Sequence, residues 1–86
     1  MSGYYTYVLK SETSGLLYKG HTDNLERRLR QHNDPESHTD KFAPKHAPWI
    51  LVYAERFDTR SEAVKREKFL KSGKGREWLK ILLKAT

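Results

Sequence analysis

Two strand-forming runs separated by a tight turn segment constrain the fold of this chain most strongly. Residues 4–10, YYTYVLK, and residues 16–20, LLYKG, are rich in aromatic and aliphatic side chains, and the intervening SETSG supplies turn residues. This pattern predicts an antiparallel β-hairpin. Because side chains alternate between the two faces of a strand, Tyr7 and Tyr18 are expected to point to the same face.

The segments after the hairpin predict a helix, a loop and a third strand. The helix runs through NLERRLRQHN and has Thr22 or Asp23 as candidate caps. A polar loop that contains prolines follows from Asp34 to Pro48, and its length favours a functional role. The nearly continuous apolar run WILVYAERF, residues 49–57, predicts a strand at the centre of the sheet.

The last third of the chain predicts two helices. Residues 58–72 form the first, Gly73 and Gly75 break it, and residues 76–84 form the second. The resulting order, β-β-α-β-α-α, predicts an α+β fold in which helices flank a small three-stranded antiparallel sheet. We expect residues 1–86 to be a single domain, because no linker or repeat divides them.

Composition excludes several classes of protein. The chain has no cysteine, which rules out disulfides and thiolate metal sites. No apolar run approaches the roughly 18 residues that a membrane span needs, and the N-terminus lacks a signal-peptide core. We therefore expect a cytoplasmic protein with no membrane partner and no small-molecule cofactor, and the oligomeric state stays open.

Positive charge is concentrated at one end of the chain. Residues 1–59 hold 8 Lys and Arg against 8 Asp and Glu, whereas residues 60–86 hold 9 Lys and Arg against 3 Glu. A concentrated positive field suits a polyanion such as nucleic acid, because bound phosphates release their counterions. A solvated basic surface that aids solubility is the equally good alternative.

Three charged or polar residues interrupt helix faces that should be apolar. Arg28 and His32 lie on the stripe of Leu25 and Leu29, since residues three and four apart are neighbours on a helix. Glu67 interrupts the later stripe that includes Ala63 and Leu70. A carboxylate buried without a partner is costly, so Glu67 calls for a cation or a metal ion.

Each of these residues also has an ordinary structural explanation. The strand tyrosines can be packing residues, Arg28 can extend its aliphatic stem outward, and His32 can complement the helix dipole. Glu67 can pair with Lys71 one turn away. Taken together, however, these explanations require several independent coincidences in a short chain.

The ordered set of these residues resembles the GIY-YIG nuclease family. Tyr5-Thr6-Tyr7 and Tyr18-Lys19-Gly20 correspond to the two signature tripeptides, with the last tyrosine of the first and the tyrosine and glycine of the second kept. Tyr18 follows Tyr7 by eleven positions, and Arg28 follows Gly20 by eight. His32 lies where a family histidine is common, and SEAVKREKFLK resembles the later motif, with Glu67 as its glutamate.

The resemblance covers nearly the whole chain and implies a small endonuclease. It is similar to single-domain members related to the N-terminal nuclease module of the excision-repair incision subunit. Such an enzyme hydrolyses phosphodiester bonds, most simply in DNA during repair, recombination or defence. The resemblance implies one divalent cation, Mg²⁺ or Mn²⁺, with Glu67 as its protein ligand; Glu62 is the weaker match.

The resemblance also implies roles for the other site residues. One tyrosine acts as general base, with Tyr7 favoured over Tyr18, and His32 competes because its ordinary pKa of about 6.5 suits neutral pH. Arg28 stabilises charge at phosphorus. Gly20 allows close backbone approach, and beside it His21 is a candidate phosphate contact. Nucleic acid is expected to bind a basic surface formed late in the chain by Lys65, Arg66, Lys68, Lys71, Lys74 and Arg76. Such contacts to phosphates imply weak sequence specificity.

Departures from the family pattern keep other functions open. The family often has an asparagine late in the site, but the last asparagines here are Asn24 and Asn33. Lys71, Lys74 and Arg76 occupy the region where it would lie. The alternatives are a nucleic-acid-binding module of the same fold that is catalytically weak or inactive, and a protein-interaction adaptor.

Overall fold

The computed structural model describes residues 3–34 and 46–84. In these residues the element order is β-β-α-β-α-α, as predicted. The strands and helices have the following bounds: β1 Tyr4–Ser11, β2 Leu17–Thr22, α1 Leu25–Asn33, β3 Trp49–Phe57, α2 Arg60–Lys71 and α3 Gly73–Lys84. Most of the predicted loop, with Pro35 and Pro44, lies outside the described residues.

The sheet is antiparallel with the order β2-β1-β3. The prediction that the third strand is central was therefore wrong: β3 is an edge strand, and β1 is the central one. In β1 the four consecutive residues from Thr6 to Leu9 are all buried, since both faces of the strand are covered. In β3, by contrast, Ile50 and Leu51 are each 42% exposed. The apolar run of β3 therefore does not indicate a strand at the centre of the sheet.

Helices cover both faces of the sheet. On one face, Tyr7, Leu9 and Trp49 form a buried cluster against which Leu25 and Leu29 of α1 pack. The other face holds a second cluster that joins β1 to α2 and α3, and its buried members are Val8, Leu70 and Leu79. This arrangement confirms that the leucine stripe of α1 faces the core.

Local hydrogen bonds set where the helices begin. Asn24 is the cap of α1, because its Oδ1 accepts from the Arg27 amide at 3.0 Å, whereas Thr22 Oγ1 accepts from the Asn24 amide at 3.1 Å. The prediction of Thr22 or Asp23 as the cap was thus one or two residues early. Thr59 caps α2 through the Glu62 amide at 3.3 Å.

The break between the last two helices lies at Ser72, and the two late glycines belong to the first turn of α3. The prediction that the third helix begins at residue 76 was wrong for a steric reason. A Cβ on Gly75 would lie 1.8 Å from the Phe69 carbonyl oxygen, so glycine allows α3 to turn directly against the end of α2. The Gly75 amide also donates to Ser72 Oγ at 3.2 Å.

This close approach predicts unequal effects of two similar substitutions. Gly75→Ala should lower the free energy of unfolding by about 1–3 kcal/mol, because the methyl group meets backbone that cannot move away easily. Gly73→Ala should be neutral or slightly stabilising, since nothing lies within 4 Å of its Cβ position. Urea unfolding followed by circular dichroism measures both. Equal destabilisation by the two variants would contradict the proposed packing.

Candidate active site

The first feature of the site is a tyrosine that lies over a glycine. Tyr7 of β1 and Gly20 of β2 are direct partners in the antiparallel register, so they share one face of the sheet. A Cβ on Gly20 would lie 2.6 Å from the Tyr7 hydroxyl and 2.9 Å from its Cζ. Gly20 therefore provides the space that the Tyr7 ring occupies.

Arg28 of α1 meets this tyrosine on the same face. Its Nε donates to the Tyr7 hydroxyl at 3.1 Å, which leaves the phenolic hydrogen available for another acceptor. Burial raises the pKa of Tyr7 to about 12 and outweighs the opposing effect of the Arg28 guanidinium. Tyr7 consequently carries its proton at neutral pH.

Tyr18, His32 and Trp49 extend this face into an aromatic cluster. The rings of Tyr7 and Tyr18 are stacked with centroids 6.4 Å apart, which confirms that the two side chains share a face. The His32 ring contacts Tyr18 edge-on at 4.4 Å and is 1% exposed. His32 is therefore a core residue at the base of the site, as its position on the leucine stripe predicted.

Asn33 fixes the end of α1 to the start of β3. Its Oδ1 accepts from the Trp49 amide at 2.6 Å, and its Nδ2 donates to the Trp49 carbonyl at 3.0 Å. An amide side chain thus forms the pair of hydrogen bonds that a neighbouring strand would make. This contact holds His32, the preceding residue, against Trp49, whose ring centroid is 6.2 Å away.

Glu67 of α2 lies between an imidazole and a lysine. Its Oε1 accepts from His21 Nδ1 at 2.6 Å, and its Oε2 accepts from Lys71 Nζ at 2.7 Å. The Glu67 side chain is 17% exposed, so the carboxylate is accessible at the surface of the domain. The pairing with Lys71 that the sequence allowed is present, but the contact with His21 joins α2 to β2.

The charge state of Glu67 follows from these contacts. Burial acts to raise the pKa of Glu67, but the hydrogen bonds from Lys71 and His21 outweigh it and hold the pKa below its ordinary value. Glu67 is therefore ionised at neutral pH. Its negative charge contributes to the raised pKa of Tyr7, so Glu67 and Tyr7 interact electrostatically.

A polar cleft of about 500 Å³ opens beside these residues. It includes His21 and Arg28, together with two arginines that the sequence analysis did not select, Arg27 and Arg60. Arg27 pairs with Asp23, and the Arg60 guanidinium lies 4.8 Å from the centre of the Tyr4 ring. Arg60 is the first residue of α2, and only the folded chain brings it near α1.

The predicted basic docking residues fall into different environments. Arg66 takes part in internal contacts: its Nε donates to Glu55 at 2.9 Å and its guanidinium lies over the rings of Phe69 and Trp78. Lys71 contacts Glu67. The other members of the predicted set are exposed: Lys65, Lys68, Lys74 and Arg76.

Comparison with known proteins identifies the family of this chain. Residues 3–80 match the family described as the GIY-YIG catalytic domain. The chain belongs to the GIY-YIG family. Because this is a family of nucleases, its substrate is nucleic acid.

Relatives of this GIY-YIG protein match it over most of its length. A UPF0213 protein of Staphylococcus saprophyticus is 37% identical over 82 residues, which cover 95% of this chain and 96% of the relative. A UPF0213 protein of Natronomonas pharaonis is 42% identical over 69 residues, covering 80% and 78% respectively. The solution NMR structure of a UPF0213 protein from Bacillus halodurans is similar with a TM-score of 0.54 and 28% identity, covering 93% of this chain and 84% of that one.

GIY-YIG nucleases generally use a divalent metal, and the residues around Glu67 can be tested for this role. Within residues 3–34 and 46–84, no three His, Asp or Glu side chains form a ready-made metal site. Mg²⁺, however, commonly binds one or two carboxylates and completes its shell with water and substrate phosphate. The ionised Glu67 carboxylate fits that pattern, with His21 and Lys71 as the hydrogen-bond partners that a metal ion would replace. No helix in the described part of the chain is long and apolar enough to cross a membrane.

The contact between Gly20 and Tyr7 predicts that a methyl group at position 20 disturbs the candidate site. In Gly20→Ala the added methyl displaces the buried Tyr7 ring from Arg28, and a misplacement of about 1 Å lowers activity roughly 100-fold. The measurement is cleavage of labelled DNA, with circular dichroism as the test of folding. Gly73→Ala serves as the matched control, and an active Gly20→Ala variant would show that the Tyr7–Arg28 contact is dispensable.

Proposed function

We propose that this protein is a metal-dependent endonuclease that hydrolyses phosphodiester bonds in DNA with weak sequence specificity. The observation that carries the proposal is the grouping of a buried tyrosine, an arginine that contacts it, and an ionised glutamate beside a cleft rich in arginine. Each of these three groups meets one requirement of phosphodiester hydrolysis. Mg²⁺ or Mn²⁺ is the proposed cofactor, with Glu67 as its protein ligand.

Arg28 provides charge neutralisation at phosphorus. In hydrolysis a water oxygen bonds to phosphorus, the bond from phosphorus to the leaving oxygen breaks, and negative charge accumulates on the phosphoryl oxygens. A guanidinium that Tyr7 already orients can donate to those oxygens without reorganisation. A divalent ion at Glu67 would add Lewis-acid stabilisation of the same charge.

Tyr7 is the proposed general base. Its hydroxyl oxygen accepts from Arg28, and in the phenolate form that oxygen takes a proton from the attacking water. With a pKa of about 12, only about one molecule in 10⁵ carries the phenolate at pH 7. The phenolate is scarce but strongly basic. Tyr18, which stacks on Tyr7, orients it, and His32 is the competing base.

Weak sequence specificity follows from the small number of elements. All described strands and helices take part in the sheet or its two covering layers, so few are left to enter a groove and contact base edges. Contacts from lysine and arginine to phosphates hold nucleic acid without distinguishing sequences.

A second candidate function is binding without turnover. Both oxygens of Glu67 accept hydrogen bonds, from His21 and from Lys71, and the last asparagine of the chain, Asn33, binds the Trp49 backbone. These contacts favour a module of the same fold that holds DNA and cleaves it poorly. The two functions differ in what happens when Glu67 loses its charge.

Replacing Glu67 distinguishes the two functions. Glu67→Gln should lower metal-dependent cleavage by about 100- to 1,000-fold while DNA binding persists, because the amide keeps the shape but removes the charge that would hold a cation. The measurement is cleavage of labelled single-stranded, duplex and branched DNA with Mg²⁺ or Mn²⁺. Glu62→Gln is the control, since Glu62 lies in the exposed first turn of the same helix.

The other outcomes are equally informative. Equal cleavage by wild type, Glu67→Gln and Glu62→Gln would mean that Glu67 is not the catalytic carboxylate. Absence of cleavage by the wild type on every substrate, together with salt-sensitive DNA binding, would favour the binding module.

The identity of the base determines how activity depends on pH. Because the base acts in its deprotonated form and burial raises the pKa of Tyr7 to about 12, kcat/KM should rise roughly tenfold per pH unit between about pH 7 and 9. Tyr7→Phe should remove this rise. Activity that shows no such rise and that Tyr7→Phe leaves in place would instead favour His32 as the base.

A further inference from the structure

A second, separate groove lies between the hairpin and α3. Its volume is about 410 Å³, and none of its lining residues belongs to the cleft beside Arg28. Its apolar floor is formed by Leu17, Leu79 and Leu83. We call it the β2–α3 groove.

The walls of the β2–α3 groove are cationic. Lys10 and Lys19 come from the hairpin, and Arg76, Lys80 and Lys84 come from α3. No acidic residue lines it. The three α3 residues follow one another at intervals of four, so they form a row with a spacing of about 6 Å along the helix.

The groove is electrostatically continuous with the candidate active site. Lys19 lies two residues before His21 in β2, so the two side chains point to the same face of the sheet, and His21 contacts Glu67. Burial and the positive charges of Arg76 and Lys71 lower the pKa of Lys19. Lys71 is the residue that donates to Glu67 at 2.7 Å. A line of positive charge therefore leads from the carboxylate into the groove.

We propose that the β2–α3 groove holds the sugar–phosphate backbone of a DNA strand as it leaves the site at Glu67. This inference rests on the proposed function and names where the substrate runs. The cations of the row along α3 can each neutralise a phosphate of one strand, which binds the backbone without reading its bases. The apolar floor provides a surface for the carbon atoms of the sugars.

The proposal changes which lysines matter for binding. Lys80 and Lys84 lie in the groove, whereas Lys65 and Lys68 are exposed on α2 and do not line it. Each pair consists of exposed helical lysines, and replacing either pair by glutamine removes two charges. Comparing the two double variants therefore distinguishes DNA binding along the groove from attraction to the overall positive charge of the protein.

The experiment measures how salt weakens DNA binding. A labelled single-stranded DNA of about 16 nucleotides is titrated with wild type, K80Q/K84Q and K65Q/K68Q in EDTA, at salt between about 50 and 200 mM. K80Q/K84Q should flatten the slope of log K against log salt by about 1.4, which is about 0.7 for each lost phosphate contact. K65Q/K68Q should flatten the slope by less than half as much, because these lysines lie outside the groove. Lys10→Gln, on the opposite wall, should flatten it by about 0.7.

Three results would contradict the proposal that the groove holds DNA. The first is that the two double variants flatten the salt slope equally, and the second is that neither K80Q/K84Q nor Lys10→Gln flattens it. The third is that the wild type binds a polyglutamate peptide more tightly than DNA. The last would assign the groove to an acidic protein surface. Because binding is measured without metal, a groove-specific slope change in a protein that cleaves nothing would support the groove and reject the nuclease activity. Normal cleavage with unchanged salt slopes would support the nuclease activity and reject the groove as the path of the DNA.

Discussion

The placement of Tyr7 over Gly20 is the contact on which both the fold and the candidate site depend. Tyr7 belongs to the central strand, so its ring is part of the core, yet its hydroxyl accepts from Arg28 at 3.1 Å. A side chain at position 20 would occupy the space of that ring. The same contact thus packs the sheet against α1 and fixes the position of a polar group that the domain could not otherwise afford to bury.

Burial of both faces of β1 explains how so small a chain accommodates polar residues near its core. Thr6 is fully buried, and its hydroxyl donates to the Ala63 carbonyl at 2.7 Å, which links the sheet to α2. Asn33 plays the corresponding role on the other face through Trp49. Buried polar groups with such partners restrict how the layers can pack, whereas apolar contacts alone would permit sliding.

The sequence predicted the type and order of the elements because each depends on local periodicity and turn residues. It also predicted that Arg28 and His32 lie on the core-facing stripe of α1, since that follows from helical spacing. It could not predict that β3 is an edge strand, because an apolar run does not identify a strand's neighbours. Contacts between distant segments were equally inaccessible: His21 meets Glu67 across 46 positions, and the groove joins Lys10 to Lys84. Helical spacing singled out Glu67 as a charge on an otherwise apolar stripe, but only the resemblance to a family gave it a role.

The basic surroundings of Glu67 have two opposite consequences. His21 and Lys71 keep the carboxylate ionised, but they also compete with any metal ion for its oxygens. Under the proposed function, a substrate phosphate would relieve this competition, because it could accept the hydrogen bonds of Lys71 and His21. The Glu67 carboxylate would then be available to hold a metal ion. Under the proposed function, metal affinity and DNA affinity are therefore coupled, and each should be stronger in the presence of the other.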